Sequence, residues 1–367
     1  MKLKTWFALI IFITLIGLSF ISISTLTKSP PFLNLNSPSS LQNGNITVID
    51  DTGMELRFNR PVEKIVFLAE NAMQTMYALD QSQSIVGAGG IELPTLSIPF
   101  YEAIEPRWNE KTKLSAGNNL ISLEVLAQAD PKLVVLWSSD WGSDLIATIT
   151  SNFNIPVYSV YITGVGDVDR QVQNFAKLTG NEKRGEEILA QIHNYSSRIT
   201  DRTILLPDTD RPSVLWIWED MYGSAGVHSS AHDLIYMAGG KNALNTSWFV
   251  GKELEHPVLS LETIARIDPD IIYMWYSDRY NPEDIISGKD EFEGWKDLKA
   301  VKTHRVYEIP DPFVYDFDSP RYPLTLIHMA QDIHPELFGN ISMDYEVDQY
   351  YSHMYRVHYP GYASSGV

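Results

Sequence analysis

The chain of 367 residues contains no cysteine. That excludes disulfides, cysteine-based metal centres and thiol catalysis, and it excludes a bacterial-type lipid anchor on an N-terminal cysteine. Positive charge is scarce as well: 28 Lys and Arg stand against 46 Asp and Glu, for a formal net charge of -18. A surface of that sign repels phosphate backbones and no long basic run offsets it, which argues against a nucleic-acid partner. What is present is an ordinary globular share of apolar residues, 44%, of which aromatics supply 11% of the chain. The length suffices for one large domain or two of ordinary size.

Residues 1–27 read as a targeting segment. Lys2 and Lys4 precede an apolar run from Trp6 to about Ile23, with Ser and Thr after it. The run is long for a signal peptide and short for a membrane span, and both a cleaved signal and a retained anchor fit. The lack of an A-x-A cleavage site tilts the reading toward an anchor. Either way the positive flank stays inside, so the rest of the chain is expected outside the cytoplasm. Residues 28–45 are rich in Pro, Ser and Asn and read as a flexible linker.

Folded structure is expected from residue 46. ITVIDDTGMELRF alternates around an Asp-Thr-Gly turn and predicts a β-hairpin. Short apolar strands then alternate with helical stretches: Ile65–Leu68, a helix through Met73, Met76, Tyr77 and Leu79, a strand at SIVGAGG, a Pro- and aromatic-rich loop over about 92–112, and a strand at IPVYSVY. This alternation means an α/β architecture. From Val168 to about Arg202 the pattern becomes long and helical, with Gly180 as a break. After it the α/β pattern restarts with SVLWIWED, SSAHDLIYMAGG and HRVYEIP, and a mostly helical tail runs from Ser319 to Tyr355.

One segment occurs twice. ISLEVLAQADPKLVVLW at 121–137 returns as LSLETIARIDPDIIYMW at 259–275, with seven of seventeen positions identical. In each copy a Ser supplies an N-cap, an apolar stripe follows, Asp-Pro ends the helix, and an apolar strand fit for a parallel sheet comes next. Copies this far apart are no solenoid period; they mark two lobes built alike. The expected division is 46–165 for the first lobe, 166–205 for a bridging helical segment and 206–360 for the second lobe. Ligands in paired α/β lobes bind at the carboxyl ends of the strands.

At this point the chain resembles the substrate-binding proteins of ABC importers for iron–siderophore complexes, haem and cobalamin, the class III periplasmic binding proteins. The resemblance runs from about residue 46 to the end of the tail. It rests on ITVIDDTGMELRFNRPVEKIVFL, ALDQSQSIVGAGG, both copies of S-L-E-x-[LI]-A-x-x-D-P, DLIYMAGGKNAL and GWKDLKAVKTHRVYEIP. It implies two Rossmann-like lobes bridged by one long α-helix, with the ligand cleft between them. It also implies a binding protein without enzymatic activity or prosthetic group, acting as a monomer. The expected cargo is a ferric siderophore-type chelate. A corrinoid such as cobalamin is the closest alternative, then haem, with an oxyanion such as molybdate further off. The partner would be a membrane permease dimer driven by a cytoplasmic ATPase.

The candidate residues follow. Glu124 and Glu262 hold matching positions in the repeat. An acid in a first helical turn is favoured by the helix dipole alone, but in the resembled family glutamates at these positions meet arginines of the permease. Trp108, Trp141, Trp218, Trp248 and Tyr315 are read as loop aromatics walling a bulky ligand. Arg107, Arg279 and Arg321 would supply positive potential for an anionic chelate. Glu70 and Asn71 follow the first strand and are placed at the cleft mouth. His228 is counted with these ligand-binding candidates; together with His232 it also invites a metal reading, but no further ligands complete a set at metal spacing. N-x-[ST] sequons stand at Asn45, Asn194, Asn245 and Asn340 and matter only in a glycosylating host. Two other classes compete: an anchored sensor or adhesion module of the same fold, and an extracellular enzyme using Asp316/Asp318 or Glu219/Asp220. The enzyme reading lacks a nucleophile–base set.

Overall fold

A computed structural model describes residues 46–89, 98–114, 121–138, 140–218, 220–244 and 256–360. The chain opens with the expected hairpin, β1 (Ile46–Ile49) against β2 (Glu55–Phe58), antiparallel. Asp50 shapes its turn by accepting bonds from the Thr52 and Met54 amides at 3.0 and 2.8 Å. The other Asp50 oxygen accepts from the Ser159 amide, which ties the hairpin to the first sheet.

The first lobe is built from β3 (Ile65–Phe67), α1 (Glu70–Ala78), β4 (Ile85–Ala88), α2 (Ile98–Ile104), β5 (Thr112–Lys113), α3 (Leu123–Ala129), β6 (Leu133–Trp137), α4 (Asp140–Phe153) and β7 (Val157–Val160). Its five strands are all parallel, in the order β5-β4-β3-β6-β7. Two helices follow, α5 (Val165–Thr179) and α6 (Glu182–Thr203). Gly180, at φ 71°, closes α5 in the left-handed conformation that glycine adopts most readily. The expected break is present, and the 22-residue α6 follows it.

The second lobe contains β8 (Ser213–Ile217), α7 (Ser230–Met237), β9 (Lys241–Asn242), α8 (Leu261–Ile267), β10 (Ile271–Met274), α9 (Pro282–Ser287), α10 (Lys299–Lys302) and β11 (Val306–Glu308). Its sheet is also parallel, in the order β11-β10-β8-β9. The tail forms α11 (Tyr322–Ile333), α12 (Pro335–Phe338) and α13 (Met343–Tyr355).

Strand periodicity explains the layering. Side chains alternate between faces, and here both faces are buried. Ile65, Phe67, Leu133, Val135, Val214, Trp216, Ile271 and Tyr273 point into one central core that also takes Val172, Phe175, Ile188, Ile192 and Ile199 of α5 and α6. Their strand neighbours Val66, Val134 and Leu136 pack outward in the first lobe, and Leu215, Ile217, Ile272 and Met274 in the second. The two long helices therefore fill the space between the sheets.

Two expectations need correction. The region expected to be loop over 92–112 contains α2, which buries Phe100 and Tyr101. Pro99 sits in its first turn, where no backbone N–H is needed. Trp141, expected in a loop, lies instead at the start of α4. The tail also reaches back across the molecule. Phe100 of α2 packs on Tyr351 and Tyr355 of α13, with ring centroids 5.5 and 4.9 Å apart.

Candidate ligand cleft

In both lobes the chain leaves the carboxyl ends of parallel strands into the connections that carry most candidate residues. The most developed feature there is aromatic. Trp218 directly follows β8 and Trp275 directly follows β10, and the parallel register sets them side by side, as it sets Trp216 beside Tyr273. Trp218 lies 5.3 Å from Trp216, 6.3 Å from Trp275, 6.1 Å from Phe317 and 5.0 Å from the His256 ring. Trp275 lies 5.0 Å from Phe317. Trp216 and Phe317 are buried, whereas Trp218, Trp275 and the neighbouring Tyr276 are only half-buried. The cluster thus joins two buried rings to three partly exposed ones. Trp218 is held in place at both ends: its indole N–H donates to the Ser224 carbonyl at 3.0 Å, and its own carbonyl accepts from the Tyr280 hydroxyl. Of this cluster, sequence reasoning favours Trp218 as a ligand wall and reads Trp275, at the end of its strand, as a core residue. The signal for Trp216 is the alternation W-I-W at 216–218, across the end of β8, which puts Trp216 and Trp218 on one face.

The other candidates divide sharply. Glu70 accepts a 2.8 Å bond from the Tyr101 hydroxyl, whose pKa burial and then the Glu70 charge push well above the ordinary tyrosine value. Asn71 is buried and donates to the Asp318 carbonyl at 2.9 Å. That contact joins α1 of the first lobe to the segment after β11. Trp108 is no ligand wall here. It is 2% exposed, stacked on Tyr101 at 4.5 Å, and covered on its ring by the Lys113 ammonium at 3.4 Å. Tyr315 is likewise buried, edge-on to His328. Arg321 is fully buried, 3.9 Å above the Phe313 ring, and donates to the Tyr351 hydroxyl. These three are packing residues: Tyr101 of α2 covers Trp108, His328 of α11 lies against Tyr315, and Phe313 and Tyr351 enclose Arg321.

Arg107 is exposed and paired with Glu110 at 2.7 Å. Arg279 is exposed beyond β10. His228 precedes α7 and is exposed, whereas His232 lies on the helix, half-buried, its ring 3.3 Å from the Asn242 amide. Burial holds the His232 pKa below the ordinary histidine value. Among the described residues no group of three His, Asp or Glu side chains is placed to hold a metal ion. Trp248 and Glu219 lie outside the described residues, as do Asn45, Asn245 and the side chain of Trp141.

The repeated segments match in three dimensions. Ser122 caps α3 by accepting from the Val125 amide at 3.3 Å, and Ser260 caps α8 by accepting from the Thr263 amide at 3.2 Å. Both helices end on an aspartate in the left-handed region, Asp130 at φ 45° and Asp268 at φ 44°, each followed by proline. Asp is one of the few side chains that tolerate this conformation. Glu124 and Glu262 stand exposed in the first turns of the two helices. Their local contacts differ: Glu124 accepts from the Gln128 amide, and Glu262 from the Ser260 hydroxyl.

Two parallel-sheet lobes packed on a pair of long helices define the architecture of two-lobed solute-binding proteins. Solved structures agree. A periplasmic solute-binding protein from Veillonella parvula matches with a TM-score of 0.64 at 24% identity, over 85% of this chain and 93% of that one. Helicobacter pylori CeuE with Ni(II) bound matches at 0.66 and 20% identity, over 86% and 97%. The chain belongs to the periplasmic binding protein family, whose pattern it matches over residues 65–313. Members of this family bind solutes and are not enzymes. Among curated relatives, a cobalamin-binding protein of Halobacterium salinarum is 27% identical over 233 residues, 62% of this chain. The match spans 58% of that protein's own length. The iron(3+)-hydroxamate-binding protein FhuD of Bacillus subtilis is 25% identical over 54% of this chain and 61% of its own. Among the described residues no helix is long and apolar enough to cross a membrane.

Proposed function

We propose that this protein is the extracytoplasmic solute-binding component of an ABC importer. It captures a bulky metal chelate of the ferric siderophore type between its lobes and delivers it to a membrane permease dimer with a cytoplasmic ATPase. The observation that carries the reading is the pair of partly exposed indoles, Trp218 and Trp275, packed on buried Trp216 and Phe317 at the strand ends. Such a surface suits a large ligand with apolar or flat faces better than a bare oxyanion. A corrinoid is the second reading, favoured by the cobalamin-binding relative. Residues 1–27 would hold the chain at the outer face of the membrane or direct its export, and residues 28–45 would act as a tether.

Glu124 and Glu262 are the proposed permease contacts. They are exposed, one on each lobe, in segments that are otherwise structurally equivalent. Charges so placed orient an encounter more than they add affinity. One experiment addresses both parts. Intrinsic tryptophan fluorescence is titrated with ferric hydroxamates, ferric catecholates, cobalamin, haem and molybdate, in the parent and in the Glu124→Lys/Glu262→Lys double variant. We expect one chelate to quench both proteins with equal affinity, while uptake in cells carrying the double variant is lost. Quenching by molybdate alone would overturn the bulky-chelate reading; lost ligand affinity in the double variant would overturn the docking role.

A further inference from the structure

We propose that Asp233 is an inter-lobe latch: from the second lobe it caps α5 at Val165, where the first lobe passes into the bridging helices, and so sets the angle between the lobes. Helix α5 starts at Val165 with Gly164 as its N-cap, and Gly164 has no side chain to satisfy the first amides. The bond comes from across the lobe boundary. The Val165 amide donates to Asp233 Oδ2 at 3.0 Å, and Asp233 lies on α7. Ordinarily a cap is local, a Ser, Thr, Asp or Asn beside the helix it serves. Here Thr163 is turned away, its amide and hydroxyl bound to Asp167 at 2.7 and 3.0 Å.

Gly164 is required by this contact and not by its backbone. Its φ of -179° is open to any residue. An added Cβ, however, would stand 2.5 Å from Asp233 Oδ2. The glycine therefore keeps room for a carboxylate from the other lobe. Asp233 is also dispensable at home, because α7 is capped by Ser229, whose hydroxyl accepts from the His232 amide at 3.2 Å.

The same turn of α7 has a second attachment. Ser230 donates to Asp318 Oδ1 at 2.7 Å, and the Asp318 carbonyl accepts from Asn71 of α1. One short stretch of the second lobe thus makes two attachments, one to the Val165 amide at the end of the first lobe and one through Asp318 to α1. Two attachments resist rotation where a single contact would act as a pivot. The latch rests on the two-lobe architecture alone and holds whatever the cargo.

The absence of native cysteines makes the test direct. Ser151 on α4 and Lys296 in the second lobe are both exposed. Ser151→Cys and Lys296→Cys in the full chain carry paired spin labels whose separation reports the lobe angle. We expect one narrow distance distribution in the otherwise unaltered protein and in Asp233→Asn, whose amide oxygen accepts the same bond. Asp233→Ala should broaden it. Gly164→Ala, which displaces the carboxylate, should broaden it as well, and the Gly164→Ala/Asp233→Ala pair should be no broader than Asp233→Ala alone. If Asp233→Ala does not fold, Gly164→Ala alone decides. A distribution unchanged in Asp233→Ala, or in Gly164→Ala where that variant decides, would overturn the proposal, as would Asp233→Asn as broad as Asp233→Ala.

Discussion

Replacing Arg321 by methionine separates a structural role from a ligand-binding one. The Arg321 side chain has no exposed surface. Its guanidinium lies 3.9 Å above Phe313, donates to the Tyr351 hydroxyl at 2.9 Å, and faces Asp316 across 3.8 Å. The remaining support of the Asp316 carboxylate is neutral: Oδ1 accepts from the Asp318 amide at 3.0 Å and Oδ2 from Gln74 at 3.4 Å. Burial raises the Asp316 pKa while the Arg321 charge pulls it down. Methionine fills most of the vacated volume, so the packing loss stays under about 1.5 kcal/mol. The abandoned carboxylate costs more: removing one member of a buried ion pair destabilises by about 3–5 kcal/mol, and Asp316, whose side chain keeps 18% of its surface exposed, belongs at the lower end. Against a total stability on the order of 5–15 kcal/mol this is a large fraction. Urea unfolding followed by fluorescence should show Arg321→Met losing roughly 3 kcal/mol, and Asp316→Asn/Arg321→Met recovering most of it. The deficit should also shrink toward pH 4. Without Arg321 the folded pKa of Asp316 rises further, and a raised carboxyl contributes stability that is full below its unfolded value and lost as pH climbs through the folded one. A loss below about 1 kcal/mol in Arg321→Met would refute the reasoning, as would lost ligand binding at unchanged stability.

Other outcomes follow from the same structure. Asp169 of α5 accepts from His193 of α6 at 2.7 Å and from the Tyr322 hydroxyl of α11, and burial lifts its pKa above the ordinary carboxylate value. Its stabilising contribution is therefore full below about pH 3.8 and declines as pH rises. Thermal midpoints across about pH 4–7 should slope less in Asp169→Asn than in the parent, and parallel curves would contradict this. Gly180→Ala should cost about 1–2 kcal/mol, because alanine at φ 71° is strained and its Cβ would stand 3.2 Å from Pro61. Gly180→Asn, which tolerates that conformation, should cost less in the same urea measurement.

How much was legible in the sequence depended on the range of the cause. The Ser122 and Ser260 caps, the Asp-Pro stops, the apolar strands and the break at Gly180 are set by residues within a few positions of each other, and each is found where the pattern puts it. The double-sided burial of the strands follows from their unbroken apolar character. Burial in the connections had no such local signal. Trp108 sits among Arg, Asn and Glu and looks like a surface residue, yet Tyr101 and Lys113 enclose it. Arg321 follows Asp and Ser, yet its surroundings come from Phe100, Phe313 and Tyr351, brought together only by the tertiary fold. The Trp216–Trp218–Trp275–Phe317 cluster likewise needs the pairing of β8 with β10 and the return of the chain after β11. Asp233 was least legible of all, because its partner is a backbone amide of the other lobe.

The return of the tail has a consequence for how the molecule can be divided. Phe100 of α2 completes its packing with Tyr351 and Tyr355, and Arg184 of α6 donates to the Met354 carbonyl at 2.8 Å. A cut between the lobes, natural or engineered, would leave the amino-terminal half with an open aromatic wound and the carboxyl-terminal half with an orphaned helix. The two halves that look like repeats in sequence are thus obligate complements in folding. Neither is expected to stand as a free domain, and a chain truncated before α13 would fail first in the lobe farthest from the cut in sequence.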